Sequence, residues 1–199
     1  MDFAATPTLE HPLVRLEALS FAHASDLAEA SAEGELWRTW YTSIPAPDAM
    51  EAEIERRLGL QAEGRMAPWA VIDPATGKAV GMTTYMDIEA AHRRVEVGST
   101  WIAKRAQGTG INPAAKLLLL TRAFDELDCV AVALLTHWHN AQSRAAIERL
   151  GARQDGVLRA HRIMPDGILR DTVVYSILAH EWPAVRRGLL DRLTRRAGA

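Results

Sequence analysis

The apolar positions of this chain change period several times, and each change marks an element. After an irregular arm over Met1–Pro12, Leu13-Val14-Arg15-Leu16 alternates as a first strand does. Ser20–Glu33 carries Phe21, Leu27, Ala28 and Ala30 as the apolar members of a helix. Met50, Ile54 and Leu58 recur at i, i+4 and i+8, predicting a second helix over Asp48–Glu63 with Asp48 as its N-cap. Pro68–Ile72 and Ala79–Met86 read as strands joined by the turn Asp73-Pro74-Ala75-Thr76-Gly77, and Val95–Ala103 as a third. Three consecutive strands in hairpin order predict an antiparallel meander.

The second half is more apolar. Asn112–Leu127 sets Leu117, Leu120, Phe124 and Leu127 on one stripe, widened by Leu118, Leu119 and Ala123, so this helix should be mostly buried. Val130–Thr136 is almost unbroken apolar sequence, the pattern of a strand covered on both faces. A helix between two strands makes a crossover, so those strands should be parallel. Asn140 caps a helix over Ala141–Leu150 that stops at Gly151. Gly156–Met164 and Leu169–Leu178, joined at Pro165-Asp166-Gly167, form a closing hairpin. Glu181–Arg196 is a last helix with Trp182, Val185, Leu189, Leu190 and Leu193, ending in a basic tail. The expectation is an α/β (α+β) chain with a single domain over 1–199, a core over about 13–180 and a C-terminal helix over about 181–196. Its sheet is mixed, mostly antiparallel, of about seven strands flanked by helices.

Composition narrows the functional classes. The 199 residues are 48% hydrophobic and 24% charged, the balance of a globular protein. A net charge of −2 gives no footprint for nucleic acid. No stretch of ~18 apolar residues predicts a membrane span, and the N-terminus has no signal-peptide pattern. The lone Cys129 can form no internal disulfide, so a reducing cytoplasm fits. His137 and His139 flank Trp138, but no cysteine or carboxylate motif joins them, so no metal site is expected.

One stretch points to chemistry. Between the strand Val95–Ala103 and the apolar helix lies Gln107-Gly108-Thr109-Gly110-Ile111-Asn112, followed by Pro113. Asn112 suits an N-cap and Pro113 a first helical residue. Loop amides and a helix N-terminus would then face one point, a geometry that binds phosphate without a cationic side chain. The glycines let a ligand approach the backbone. An unliganded tight turn is the other reading of the loop alone. Lys104 and Arg105 beside it could reach phosphates or simply be solvated.

Gln107-x-x-Gly110-x-Asn112 resembles the pyrophosphate loop (Q/R-x-x-G-x-G/A) of the GNAT acetyltransferases, with Asn112 in place of the small sixth residue. Asn140-x-x-Ser143, Leu150-Gly151-Ala152, Asp155-Gly156-Val157-Leu158-Arg159 and Asp166-Gly167 with Arg170-Asp171 resemble motifs of the RimJ/RimL branch, which acetylates N-terminal α-amines. The likeness runs from about Leu13 to Val185. It implies the GNAT acyl-CoA N-acyltransferase fold, in which a parallel pair of strands splays apart to form a cleft for CoA.

Carried over by position, the resemblance implies acetyl-CoA as cosubstrate and no metal. Trp101, Ile102 and Ala103 would offer backbone hydrogen bonds to pantetheine. Gln107, Gly108, Thr109, Gly110, Ile111 and Asn112 would hold the pyrophosphate, and Asn140 and Ser143 would flank the thioester. The hydroxyl of Ser143 could assist the departing sulfur. Glu96, on the fourth strand, could take the amine proton through water if burial raises its pKa. Family members often carry an acid after the Gly156 turn, but Arg159-Ala160-His161-Arg162 has none, and His161 could substitute. Trp37, Trp40 and Tyr41, with Tyr85, are candidate walls of a substrate pocket; the first three could instead cap the core. The acceptor is expected to be a small-molecule or peptide amine, with a homodimer allowed. A detoxifying enzyme acting on an antibiotic amine and a non-catalytic acyl-CoA-binding module are the alternatives.

Overall fold

The computed structural model describes residues 1–164 and 166–197, excepting the side chains of 196 and 197. Pro165 of the expected hairpin turn lies outside the described residues, as does the Arg196 side chain of the basic tail.

The strands are β1 (Leu9–His11), β2 (Val14–Ala18), β3 (Met66–Ile72), β4 (Ala79–Glu89), β5 (Arg94–Ile102), β6 (Ala131–His137), β7 (Arg153–Ile163) and β8 (Leu169–Leu178). They form one sheet in the order β1-β2-β3-β4-β5-β6-β8-β7. All neighbours are antiparallel except β5 and β6. The helices are α1 (Ala24–Ala32), α2 (Met50–Ala62), α3 (Ile111–Thr121), α4 (Ala141–Leu150) and α5 (Trp182–Ala197). The sheet therefore has eight strands, against about seven expected. The addition is β1, inside the supposed irregular arm, pairing Leu9 with Leu16. Three residues are too few to show an alternation. Within the described residues, no helix is long and apolar enough to cross a membrane.

Two helix starts differ from expectation. Asp48 lies in a short 3-10 turn, Pro47–Ala49, and makes no side-chain cap; α2 starts at Met50. More consequentially, Asn112 is not the cap of α3. Gly110 occupies that place with φ 104°, a left-handed conformation natural to glycine, and its carbonyl accepts the amide of Ala114. Asn112 and Pro113 thus sit inside the first turn, where proline's missing N–H is still harmless. The long helix expected to Leu127 ends its α-helical part at Thr121. A π-helical turn follows, with the Leu127 amide bonded to the Arg122 carbonyl.

The feature that shapes the cleft is a bulge in β5. Met82 pairs with Trp101 and Thr84 with Gly98, so one extra residue sits in β5, and Ser99 takes φ 48°. Arg57 of α2, buried, donates to Thr84 Oγ1 at 2.7 Å and to the Ser99 carbonyl at 3.4 Å. Glu53 balances its charge at 2.7 Å. Lys116 of α3, also buried, donates to Thr100 Oγ1 at 2.8 Å, and that hydroxyl meets Thr83 Oγ1 at 2.8 Å. Thr83 and Thr84 are consecutive on β4 and face opposite sides of the sheet. Two buried basic side chains therefore hold the bulged region from opposite faces.

Candidate active site

Strands β5 and β6 pair only where Arg94, Val95 and Glu96 meet Ala131, Val132 and Ala133. Beyond Glu96 they separate, leaving the β5 edge without a strand partner on that side. A cleft of about 1010 Å³ fills the gap. The Gly-containing loop lies at one end and the Glu96 carboxyl at the other.

At the loop end, Gln107, Gly108, Gly110 and Asn112 line the cleft, whereas Thr109 and Ile111 do not. Thr109 closes the loop from behind, donating to the Ala106 carbonyl at 2.7 Å. Ile111 is buried in the core. Gln107 Nε2 donates to the Ile102 carbonyl at 3.0 Å, fixing the end of β5. Trp101 and Ile102 line the cleft, but Ala103 is turned away. Its amide is bonded to the Val80 carbonyl and its carbonyl to the Ala106 amide, so it has nothing to offer a ligand. Arg105 is paired with Glu33 through both its guanidinium and its amide, neither reaching the loop nor simply solvated.

Midway along, Asn140 caps α4 by accepting the Ser143 amide at 3.0 Å, as expected. Asn140 and Ser143 both line the cleft.

At the far end, Glu96 is 6% exposed. Burial, then the neighbouring Asp87 carboxylate, lift its pKa from the usual carboxylate range to about 8, against the pull of Arg162 and Arg170. Gly98 leaves room for it: a Cβ there would stand 2.5 Å from Glu96 Oε1. His161 also lines this end, its Nδ1 3.1 Å from Thr172 Oγ1.

The aromatic candidates divide. Tyr41 lines the cleft. Trp40 stands one layer back, edge-on to Tyr41 at 5.4 Å and to His137 at 5.3 Å. Trp37 lies at the surface under the Arg38 guanidinium and does not line the cleft. Tyr85 is not a pocket wall at all. It is fully buried against Trp69, with its hydroxyl donated to the Leu119 carbonyl.

A parallel pair that opens into a cleft, closed by a glycine-capped loop and a buried acid, is an arrangement for transfer from a phosphate-bearing carrier. The acetyltransferase (GNAT) domain model matches residues 14–153. The chain belongs to the GNAT acetyltransferase family. It is 38% identical over 106 residues to Bacillus subtilis (strain 168) YdaF, whose name describes a ribosomal N-acetyltransferase. That match spans 53% of this chain and 57% of YdaF, so only a little over half of the relative is covered. A crystal structure from T. thermophilus, described as an acetyltransferase, is 36% identical, with a TM-score of 0.84 over 95% of this chain and 98% of its own. Mycobacterium smegmatis RimJ, solved with CoA-disulfide, shares the fold at 22% identity, with a TM-score of 0.78 over 94% and 93% of the two chains.

As a GNAT enzyme the protein is an acyltransferase, and its family uses acetyl-CoA. Two polar atoms beside the cleft are left over by the fold. The Asn112 Oδ1 and Trp101 Nε1 atoms are buried without a hydrogen-bond partner among the described residues, and both residues line the cleft.

Several cleft residues were not among the expected site residues: Asp87 and Lys116, and also His137, weighed only as a metal ligand, and Arg162 and Arg170, quoted only within motifs. Lys116 had a further signal, as a solitary charge within an apolar helix, four residues after Asn112. That the others enter the cleft depends on strand register.

Proposed function

We propose that this protein is an acetyl-CoA-dependent N-acetyltransferase whose acceptor is an α-amine, at a peptide or protein N-terminus or in an aminoacyl small molecule. The observation that carries the reading is the buried Glu96 carboxyl at the acceptor end of the cleft, its pKa pushed up to about 8 by burial and then by Asp87. An α-ammonium titrates at ~7.7–8.0 and a lysine side chain at ~10.4. Proton transfer from an α-ammonium to Glu96 is thus close to balanced, whereas transfer from a lysine runs uphill by more than two units. The name of YdaF points the same way.

The thioester supplies an activated acetyl group with a good leaving thiolate. The amides around Gly108 and Gly110 and the start of α3 hold the pyrophosphate, and the open edge of β5 at Trp101 and Ile102 aligns the pantetheine arm. Asn140 fixes the first turn of α4, which presents Ser143 to the sulfur. Burial, and then the neighbouring Asp87, raise the proton affinity of Glu96, so that its ionised form is a base matched to an α-ammonium. Most of the rate comes from holding amine and acyl group side by side. Cys129 takes no part: it is buried, and burial pushes its thiol up to about 11. It suits a reducing cytoplasm.

The test is release of free CoA thiol at pH 7.5 with three acceptor sets: short peptides, amino acid amides, and lysine derivatives with the α-amine blocked. The peptides or amides should give the highest kcat/KM. Faster acetylation of the blocked lysines overturns the proposal.

A further inference from the structure

Donors outnumber acceptors at the acceptor end of the cleft. Arg162 and Arg170 are direct cross-strand partners on β7 and β8, so their side chains leave the same face. Two like charges placed opposite each other oppose folding unless something lies between them. Both line the cleft. Among the described residues neither has an ion-pair partner: Asp171, beside Arg170 in sequence, is spent on Arg159 and the Ala160 amide, each at 2.7 Å. Arg170 Nε is bonded to Thr172 Oγ1 at 3.1 Å, which aims the rest of its guanidinium along the cleft wall. Burial, then Arg162, work against the charge of Arg170.

A third donor faces the same place. His137 pairs with Thr172 across β6 and β8, so the two side chains share a face. The ring is 2% exposed. Its Nδ1 accepts the His139 amide at 3.0 Å, which puts the proton of the neutral ring on Nε2. Nε2 is buried without a partner among the described residues. The acids nearby are not bonded to these donors. Asp87, Glu89 and Glu96 line the cleft, but none of them is within ion-pair distance of Arg162 or Arg170 among the described residues.

We infer that Arg162, Arg170 and His137 form a carboxylate subsite, so that the preferred acceptor carries an acidic group within a few bonds of its reacting amine. The inference rests on the α-amine reading of the same cleft. A guanidinium pair accepts a carboxylate in a fork of charge-assisted hydrogen bonds, and a neutral amide in its place leaves the pair uncompensated. Two sources offer that group: an acidic side chain at the start of a peptide, or the free carboxylate of an amino acid.

The experiment compares kcat/KM for matched acceptors: peptides beginning with Asp or Glu against Asn or Gln, and free amino acids against their amides. The acidic member of at least one series should win by tenfold or more, and the winning series identifies the source. In Arg162→Gln/Arg170→Gln the ratio should fall to about one, and the double Lys variant should recover part of it. Arg162→Gln alone, at an exposed position, should lower the ratio without unfolding the protein. Calorimetry with N-acetylated acidic and amide peptides reads the subsite without turnover and should show the same tenfold preference. Ratios near one in both series, or a preference that survives the double Gln variant, overturn the subsite. An enzyme that acetylates α-amines regardless of charge defeats this inference alone. One that prefers blocked lysines defeats the functional reading instead.

Discussion

The guanidinium of Arg57 holds the carbonyl of Ser99, the left-handed residue at the bulge of β5. The contact joins a helix to the point where the sheet opens; Ser99 lines the cleft, and Arg57 stands behind it. Replacing Arg57 by Leu removes its bonds to Thr84 and Ser99 and leaves Glu53 with Arg56 alone. The expected loss is about 3 kcal/mol in urea unfolding, the scale of a broken buried ion pair. The KM for acetyl-CoA should rise about tenfold as the bulge relaxes. A loss of stability with an unchanged KM would show that the strands hold the bulge unaided.

Glu96→Gln tests the base. With a pKa near 8, the carboxylate form grows through neutral pH, so kcat/KM should climb from pH 6 and level off above 8. An electron-poor amine, already neutral at pH 7, keeps the acceptor's own titration out of the profile. The variant should lose about a hundredfold and the rising limb with it. The linkage sign is definite. A carboxyl with a raised folded pKa contributes stability below about 4.5, and loses it as pH climbs toward about 8. Glu96→Gln should therefore flatten the melting temperature over that window. A retained limb would assign the base elsewhere.

Lys116 runs the other way. Burial lowers its pKa from 10.5 to about 7, so between those values the unfolded chain binds more protons and this group makes stability rise with pH. One proton sets a limit of about 1.4 kcal/mol per pH unit. Lys116→Met, with Thr83 and Thr100 left bonded to each other, should remove that rise relative to wild type. Parallel stability curves from pH 7 to 10 would mean that Lys116 keeps its charge when buried.

Gly110→Val tests the loop. Its φ of 104° is costly for any residue with a Cβ, and that atom would meet Leu13 Cδ1 at 3.2 Å. In the wild type, CoA at a hundred times its Kd should stabilise by about 2.7 kcal/mol. The variant should still unfold cooperatively but show no rise in melting temperature with CoA. A full shift in the variant would place the phosphates away from this loop.

The sequence by itself determined the meander, the parallel crossover pair, the Asn140 cap on Ser143 and the glycine loop between β5 and α3. These are local: a period of two or 3.6, a capping residue, a turn residue or a motif is complete within a few positions. It misjudged the cap of α3 because Gly110 and Asn112 are both competent caps, and the left-handed φ at Gly110 settles the choice only once the loop is folded. Tertiary structure alone decided which side chains enter the cleft. Alternation says that residues two apart share a face, but not which face, and each bulge resets the count. One extra residue at Ser99 and an irregular stretch at Arg159–His161 thus set what Thr100, His161 and Arg162 face. The pairing of Arg162 with Arg170 and the burial of Tyr85 follow from register between strands. Register is fixed by packing across the sheet, which no single stretch of the chain contains.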